Sequence, residues 1–90
     1  MLPPKSDPKG GMRFTSTIME SVLVVDYSLN IVVIKTVPSL ANPVAASIDS
    51  MHAPEVLGCV AGDDTILVAT RNESAAKSIS ERIHVMMKAG

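Results

Sequence analysis

The sequence predicts an α+β two-layer sandwich of order ββαββα, in which a four-stranded antiparallel sheet carries both helices on one face. Three observations lead to this prediction. The chain has two pairs of short, β-branched runs, and each pair is interrupted by a turn-forming segment. Each pair is followed by a segment whose apolar residues recur at helical spacing. Finally, 90 residues suffice for one domain.

The first pair of strands is predicted at SVLVVDY (21–27) and NIVVIKTV (30–37), with SLN (28–30) as the turn between them. Both alternating faces of these strands are apolar, so that in the first strand Val22 and Val24 lie opposite Leu23 and Val25. An antiparallel sheet covered on one face normally presents polar residues on the other. We therefore expect an aliphatic open face, and such a patch usually marks an interface.

The first helix is predicted within PSLANPVAASIDSM (38–51). Its apolar stripe consists of Val44, Ile48 and Met51. Pro43 fits the first helical position with Asn42 as its N-cap, because the proline lacks an N–H that would be unpaired there. A start just after Pro38 is the alternative, and the sequence is compatible with both.

The second pair of strands is predicted at VLGCVAG (56–62) and TILVATR (65–71), and the second helix over residues 72–88. Asn72 is a suitable N-cap for this helix, and Glu73 suits the positive end of the helix dipole. Its predicted apolar stripe consists of Ala75, Ile79, Ile83 and Met86.

Composition excludes several classes of protein. The net charge of −1 and the scattered lysines and arginines give no basic surface for nucleic acid. A hydrophobic content of 47% with only 2% aromatic residues suggests a small aliphatic core that gains from self-association. The single cysteine, Cys59, rules out an internal disulfide and suits a reducing cytoplasm. No signal peptide or membrane span is expected.

The first residues, MLPPKSDPKGG, are rich in proline, glycine and charge. Such a segment buries too little apolar surface to fold, and we interpret residues 1–17 as a flexible tail or linker. The folded domain is expected over residues 18–90, with a start near Ile18.

The stretch VAGDDT (60–65) places two carboxylates, Asp63 and Asp64, between apolar runs. A hairpin turn explains Gly-Asp-Asp through ordinary turn chemistry, and the residues alone favour it. Recognition of a cation is the second reading, because a guanidinium offers a fork of donors that carboxylates accept bidentately. A metal site is the third, but no spaced set of Asp, Glu or His accompanies the pair.

The other polar residues give weaker signals. Asp49 lies late on the first helix, where the negative end of the dipole disfavours an anion. His52 and His84 are isolated in the sequence, and Cys59 is more readily a packed thiol than a nucleophile. No triad, phosphate loop or acid–base couple occurs at the usual spacings, so an enzyme is not expected.

The succession NIVVIKT, a proline-led helix that ends in Asp, and PEVLGCVAGDDTILVATR resembles the C-terminal domain of the bacterial arginine repressor family. The resemblance covers about residues 18 to 88, and GCVAGDDTIL is its most specific element. It implies a homo-oligomer that trimerises through its sheets and stacks two trimers into a hexamer. It also implies L-arginine as a co-repressor ligand at the trimer–trimer interface, with no metal or other cofactor.

By motif position, the resemblance implies that Asp63 and Asp64 hold guanidinium groups and that Asp49 helps to grip the ligand. It places Cys59 and Ala61 along the pocket. DNA binding is expected only through a separate N-terminal winged helix-turn-helix domain, which the short tail cannot contain.

Three positions depart from the family pattern. Asn42 stands where the family usually has Gln, Cys59 where Thr is common, and Pro38-Ser39 where Pro-Gly is usual. Asn42 is shorter than Gln and is expected to cap its helix, so a weaker or altered contact with arginine follows.

Overall fold

The computed structural model describes residues 20–89, with side chains as far as Met87. The elements are the strands β1 (Val22–Ser28), β2 (Ile31–Thr36), β3 (Val56–Ala61) and β4 (Thr65–Thr70), and the helices α1 (Ala41–Ser50) and α2 (Glu73–Ala89). The predicted order ββαββα is confirmed. The tail predicted over residues 1–17 lies outside the described residues. Neither of these two helices is long and apolar enough to cross a membrane.

The four strands form one antiparallel sheet, as predicted, and the strand order is β1-β2-β4-β3. Pairing of the central strands β2 and β4 joins the two hairpins, with Val32 opposite Val68 and Ile34 opposite Ile66. These four side chains are fully buried. Helix α1 packs mainly on β3, and α2 packs on β1 and β2. The core therefore lies between the sheet and the two helices.

A bulge in β1 corrects the predicted alternation. The register shifts between Val22 and Val24, so Leu23 has no direct partner on β2. As a result, Val22 and Val25 are both buried, whereas Leu23 and Val24 are both exposed. The prediction that Val22 shares a face with Val24 was wrong, because one extra residue in a strand moves every later side chain to the opposite face.

Helix α1 begins at Ala41, between the two starts that the sequence allowed, at Pro43 and just after Pro38. Leu40 is its N-cap residue and makes no side-chain capping bond, so the capping role predicted for Asn42 was wrong. Pro43 is tolerated inside the first turn, because the first four N–H groups of a helix have no intrahelical acceptor. Two residues of the predicted apolar stripe, Val44 and Ile48, lie in the helix and are buried. The third, Met51, is the C-cap residue that follows the helix.

Helix α2 matches its prediction closely. Asn72 Oδ1 accepts a hydrogen bond from the Ala75 N–H at 2.8 Å, which is an N-cap contact. The predicted stripe faces the core, with Ala75, Ile79 and Ile83 buried and Met86 packed against them.

The face of the sheet opposite the helices is aliphatic, as the sequence indicates. Leu67 on β4 is paired with Val33 on β2 and with Val60 on β3, so the three residues form a row across the sheet. Val60 is 68% exposed and Leu67 45% exposed. We call this surface, with Val24, the open face. Lys35 and Thr65 are paired beside the row and add polar groups at one end.

Candidate ligand-binding loop and groove

The acidic loop, Gly62-Asp63-Asp64, closes the hairpin between β3 and β4. Gly62 N–H donates to Thr65 O at 2.8 Å, which confirms the turn predicted from the sequence. Turns often use glycine because it tolerates a positive φ, but Gly62 does not have one. The turn instead has ordinary backbone geometry at this residue.

Backbone hydrogen bonds fix the acidic loop to the connection between β2 and α1. Asp63 O accepts from the N–H groups of Ser39 and Ala41, at 3.0 and 3.4 Å. Asp64 O accepts from Thr36 N–H at 2.8 Å. Both carbonyls accept hydrogen bonds from another part of the fold. The position of the loop is therefore fixed by these bonds as well as by its own hairpin.

The side chains of the acidic loop face solvent. Both aspartates are exposed. Asp64 Oδ1 accepts a hydrogen bond from Thr65 Oγ1 at 3.0 Å. Among the side chains of residues 20–87 the one ion pair joins Arg82 to Glu55, so neither aspartate of the loop has a described basic side chain within 4 Å. Two adjacent carboxylates without a paired cation form a fixed negative site.

Asp49 on α1 is in contact with Cys59 on β3. Cys59 Sγ lies 3.4 Å from Asp49 Oδ1 and 3.9 Å from Ala45 O. Burial raises the pKa of the Cys59 thiol to about 11, and the hydrogen bond to Asp49 and its negative charge add to this effect. The thiol is therefore protonated near neutral pH and donates a hydrogen bond. It is a poor nucleophile, as the sequence indicated.

A cleft of about 190 Å³ lies between the end of α1 and the start of β3. Its lining residues are Ile48, Asp49, His52, Ala53, Val56, Leu57 and Gly58. Asp49 is the acidic residue of this lining. The cleft lies at the opposite end of α1 from the acidic loop, because α1 begins at that loop through Ala41.

Asn42 and Asp49 occupy one face of α1. They are seven positions apart and both are exposed. Seven residues are about two helical turns, so the two side chains lie about 10 Å apart on the same side of the helix. Two polar side chains therefore lie on this side of α1, one near the acidic loop and one at the cleft, with Ala46 exposed between them.

The sequence-predicted site residues fall into two groups. Near the acidic loop are Asp63 and Asp64, Ala61 at the end of β3, and Asn42 in the first turn of α1. The second group is the Asp49–Cys59 contact. Asp49 and Asp64 bind different partners within this chain, so the fold does not join the groups directly.

Two residues near Asp64 were missed by the sequence analysis. Lys35 Nζ donates to Thr65 Oγ1 at 3.0 Å, and Thr65 donates to Asp64. The alternation of β2 places Lys35 on the open face, but its partner depends on the register with β4. That register could not be read from the sequence.

The two histidines occupy different places, since His52 lines the cleft beside Asp49 and His84 lies on α2. His52 follows α1 with a positive φ of 50°. His84 is exposed, although its Nε2 lies 3.0 Å from Val25 O on the edge strand. Over the described part of the chain, no three side chains of His, Cys, Asp or Glu are grouped as metal ligands.

The fold and the loop define a class: a small α+β sandwich with an aliphatic open face and an anionic loop at the end of its sheet. The family model described as "Arginine repressor, C-terminal domain" matches residues 18–85. The chain therefore belongs to the arginine repressor family.

Curated relatives give the same result. The arginine repressor of Caldicellulosiruptor saccharolyticus is 46% identical over 78 residues, which are 87% of this chain and 51% of the relative. That of Acetivibrio thermocellus is 42% identical over 84% of this chain and 50% of its own length. That of Symbiobacterium thermophilum is 40% identical over 97% of this chain and 58% of its own length. The chain spans about half the length of these relatives, which are named as repressors and not as enzymes.

Proposed function

We propose that this chain is an L-arginine-sensing oligomerisation domain of a transcriptional regulator of arginine metabolism. Arginine bridges carboxylates at a trimer–trimer interface and stabilises a hexamer. The observation that carries the proposal is the acidic loop, where exposed Asp63 and Asp64 lie on a backbone held by hydrogen bonds to β2 and α1. The proposal assigns no catalytic activity to the domain.

The chemistry of the loop suits a guanidinium group. Its planar donors bind carboxylates bidentately, and two adjacent carboxylates can accept most of its N–H groups. Each charged hydrogen bond contributes about 1.5–3 kcal/mol. Asn42 and Asp49 on α1 supply partners for the other polar groups of the ligand, with Cys59 and Ala61 alongside.

Ligand binding and assembly are coupled by charge. Without arginine, acidic loops that face each other across two trimers repel, which favours separated trimers. Arginine places positive charge between the loops, so it binds the hexamer better than the trimer and shifts the equilibrium toward the hexamer. DNA is contacted by an N-terminal winged-helix domain of the regulator.

Sedimentation velocity at low protein concentration tests the proposal. Adding L-arginine is expected to increase the mass from trimer to hexamer in the wild type, and the Asp64→Asn variant is expected to respond weakly. Glu81→Gln is the matched control, because it removes the same charge from the exposed surface of α2. A mass distribution that is unchanged by arginine, or an Asp64→Asn response equal to that of the wild type, would contradict the proposal.

The alternative is an oligomerisation module that has lost ligand binding. The Cys59–Asp49 hydrogen bond supports it, because the thiol already uses one acceptor site of the Asp49 carboxylate. The shorter side chain of Asn42 points in the same direction. This alternative predicts an intact oligomer whose melting temperature is unchanged by arginine, citrulline or lysine.

A further inference from the structure

Two successive hydrogen bonds, which we call the Lys35–Thr65–Asp64 network, connect the neighbouring strand to Asp64. Lys35 on β2 and Thr65 on β4 are register partners, so their side chains lie side by side on the open face. Lys35 Nζ donates to Thr65 Oγ1 at 3.0 Å, and Thr65 Oγ1 donates to Asp64 Oδ1 at 3.0 Å.

The donors and acceptors in this network are fixed by chemistry. An ammonium group can only donate, and a hydroxyl has one hydrogen to donate. Because Thr65 accepts from Lys35, its own hydrogen is available for the carboxylate. A donor that is itself polarised by a cation makes a stronger hydrogen bond. The positive charge of Lys35 therefore strengthens the hydrogen bond from Thr65 to Asp64 Oδ1.

The two aspartates of the loop are consequently unlike. Asp64 has one oxygen held by Thr65, whereas the side chain of Asp63 accepts no hydrogen bond from the described residues 20–87. Only its backbone carbonyl is used, by Ser39 and Ala41. One carboxylate has a fixed orientation and its neighbour is held only through the main chain.

We propose that Lys35 and Thr65 are positioning residues that orient the Asp64 carboxylate for the ligand's guanidinium group. This inference rests on the proposed function. With Oδ1 held by Thr65, Oδ2 is presented to the ligand without the entropy loss of fixing a free rotor on binding. The Lys35 charge also offsets part of the repulsion between Asp63 and Asp64.

Calorimetric titration of the wild-type chain with L-arginine is the primary test, with two substitutions at Thr65. Thr65→Val keeps the shape and β-branching but removes the hydroxyl, and it is expected to weaken binding about tenfold, the effect of one charge-assisted hydrogen bond. Thr65→Ser keeps the hydroxyl and is expected to restore affinity to within about twofold of the wild type. The melting temperature and the mass without ligand are measured for each protein, so that a loss of folding or assembly is recognised.

A second substitution separates positioning from net charge. Lys35→Met is expected to weaken arginine binding, although less than Thr65→Val, because Thr65 can still donate to Asp64. Lys77→Met is its control, since Lys77 is an exposed residue of α2 and the same charge is lost. Equal effects of Lys35→Met and Lys77→Met would overturn the role of Lys35.

A ligand-free measurement gives an independent readout. The three-bond couplings of Asp64 are expected to report one χ1 rotamer in the wild type and averaging over rotamers in Thr65→Val. Unchanged couplings, or unchanged arginine affinity in Thr65→Val, would overturn the positioning role while the proposed function stands. A wild-type chain that binds no arginine would instead overturn the proposed function.

Discussion

At the scale of single residues, three positions hold a backbone conformation that favours glycine. Leu29, Ser39 and His52 have φ values of 53°, 68° and 50°. Ser39 is the residue of the Pro38-Ser39 pair that stands where the resembled family usually has Pro-Gly. Its positive φ gives a physical reason for glycine there, because only glycine adopts this region without steric cost.

Ser39→Gly is therefore expected to stabilise the fold by about 1 kcal/mol, as the steric cost exceeds the added freedom of the unfolded chain. The hydrogen bond to Asp63 survives, because it uses the backbone N–H of residue 39. Urea denaturation measures the change. Ser78→Gly, inside α2, is the control and should destabilise the fold by about 0.5 kcal/mol, because glycine is a poorer helix former than serine. A destabilising Ser39→Gly would contradict the explanation.

Cys59 gives a prediction for pH dependence. Its folded pKa, about 11, lies above the ordinary value of 9.0, so folding favours the protonated thiol. The resulting stability is complete below pH 9 and is lost as the pH rises through 11. Iodoacetamide alkylation of the folded chain is expected to follow the same ionisation, with its midpoint near pH 11.

The Asp49→Asn variant tests the causes of this shift. Removal of the carboxylate charge is expected to lower the alkylation midpoint, but not to 9.0, because burial is the largest cause and remains. Equal midpoints in the wild type and the variant would show that Asp49 does not influence the thiol.

At the scale of elements, the two helices begin in different ways. The first turn of α2 is capped by its own Asn72 side chain. Helix α1 has no side-chain cap, and the N–H of its first residue, Ala41, donates to Asp63 O in the acidic loop. The start of α1 is therefore a tertiary contact, which couples this helix to the candidate ligand site.

Two asparagine substitutions test this difference. Asn72→Ala is expected to lower the free energy of unfolding by about 1 kcal/mol, the usual effect of losing an N-cap bond. Asn42→Ala is expected to change it by less than about 0.5 kcal/mol, because an exposed residue without a capping bond is replaced by a good helix former. Chemical denaturation of both variants provides the comparison. A large loss in Asn42→Ala would contradict the observed start of α1.

At the scale of the whole molecule, the open face is an aliphatic surface that the described elements leave exposed. Both helices cover the other side of the sheet, so no element among the described residues 20–89 covers the row of Val33, Leu67 and Val60. Covering such a row with a second copy removes apolar surface from water, which stabilises the assembly. This supports the proposed assembly through the sheets.

Val60→Lys is expected to weaken self-association at least about tenfold, because a lysine ammonium must be desolvated in the interface. Val85→Lys is a matched control, since Val60 and Val85 are 68% and 65% exposed, and Val85 lies on α2. Sedimentation equilibrium measures association, and circular dichroism verifies the fold. Equal association of the two variants would argue against the open face as the interface.

The sequence by itself determined the elements and their order. Periodicity identified four strands and two helices, and Asn72 marked the start of α2, because these signals are local and repeat within each element. The acidic pair marked the candidate site for the same reason, since Asp63 and Asp64 are neighbours in the chain.

Only the tertiary structure decided the remaining features. The bulge at Leu23 and the start of α1 at Ala41 depend on hydrogen bonds to other strands and to the acidic loop. The Lys35–Thr65–Asp64 network of hydrogen bonds depends on the register of β2 against β4. These contacts join residues far apart in sequence, and their geometry follows from how the sheet pairs and packs, which no local pattern encodes.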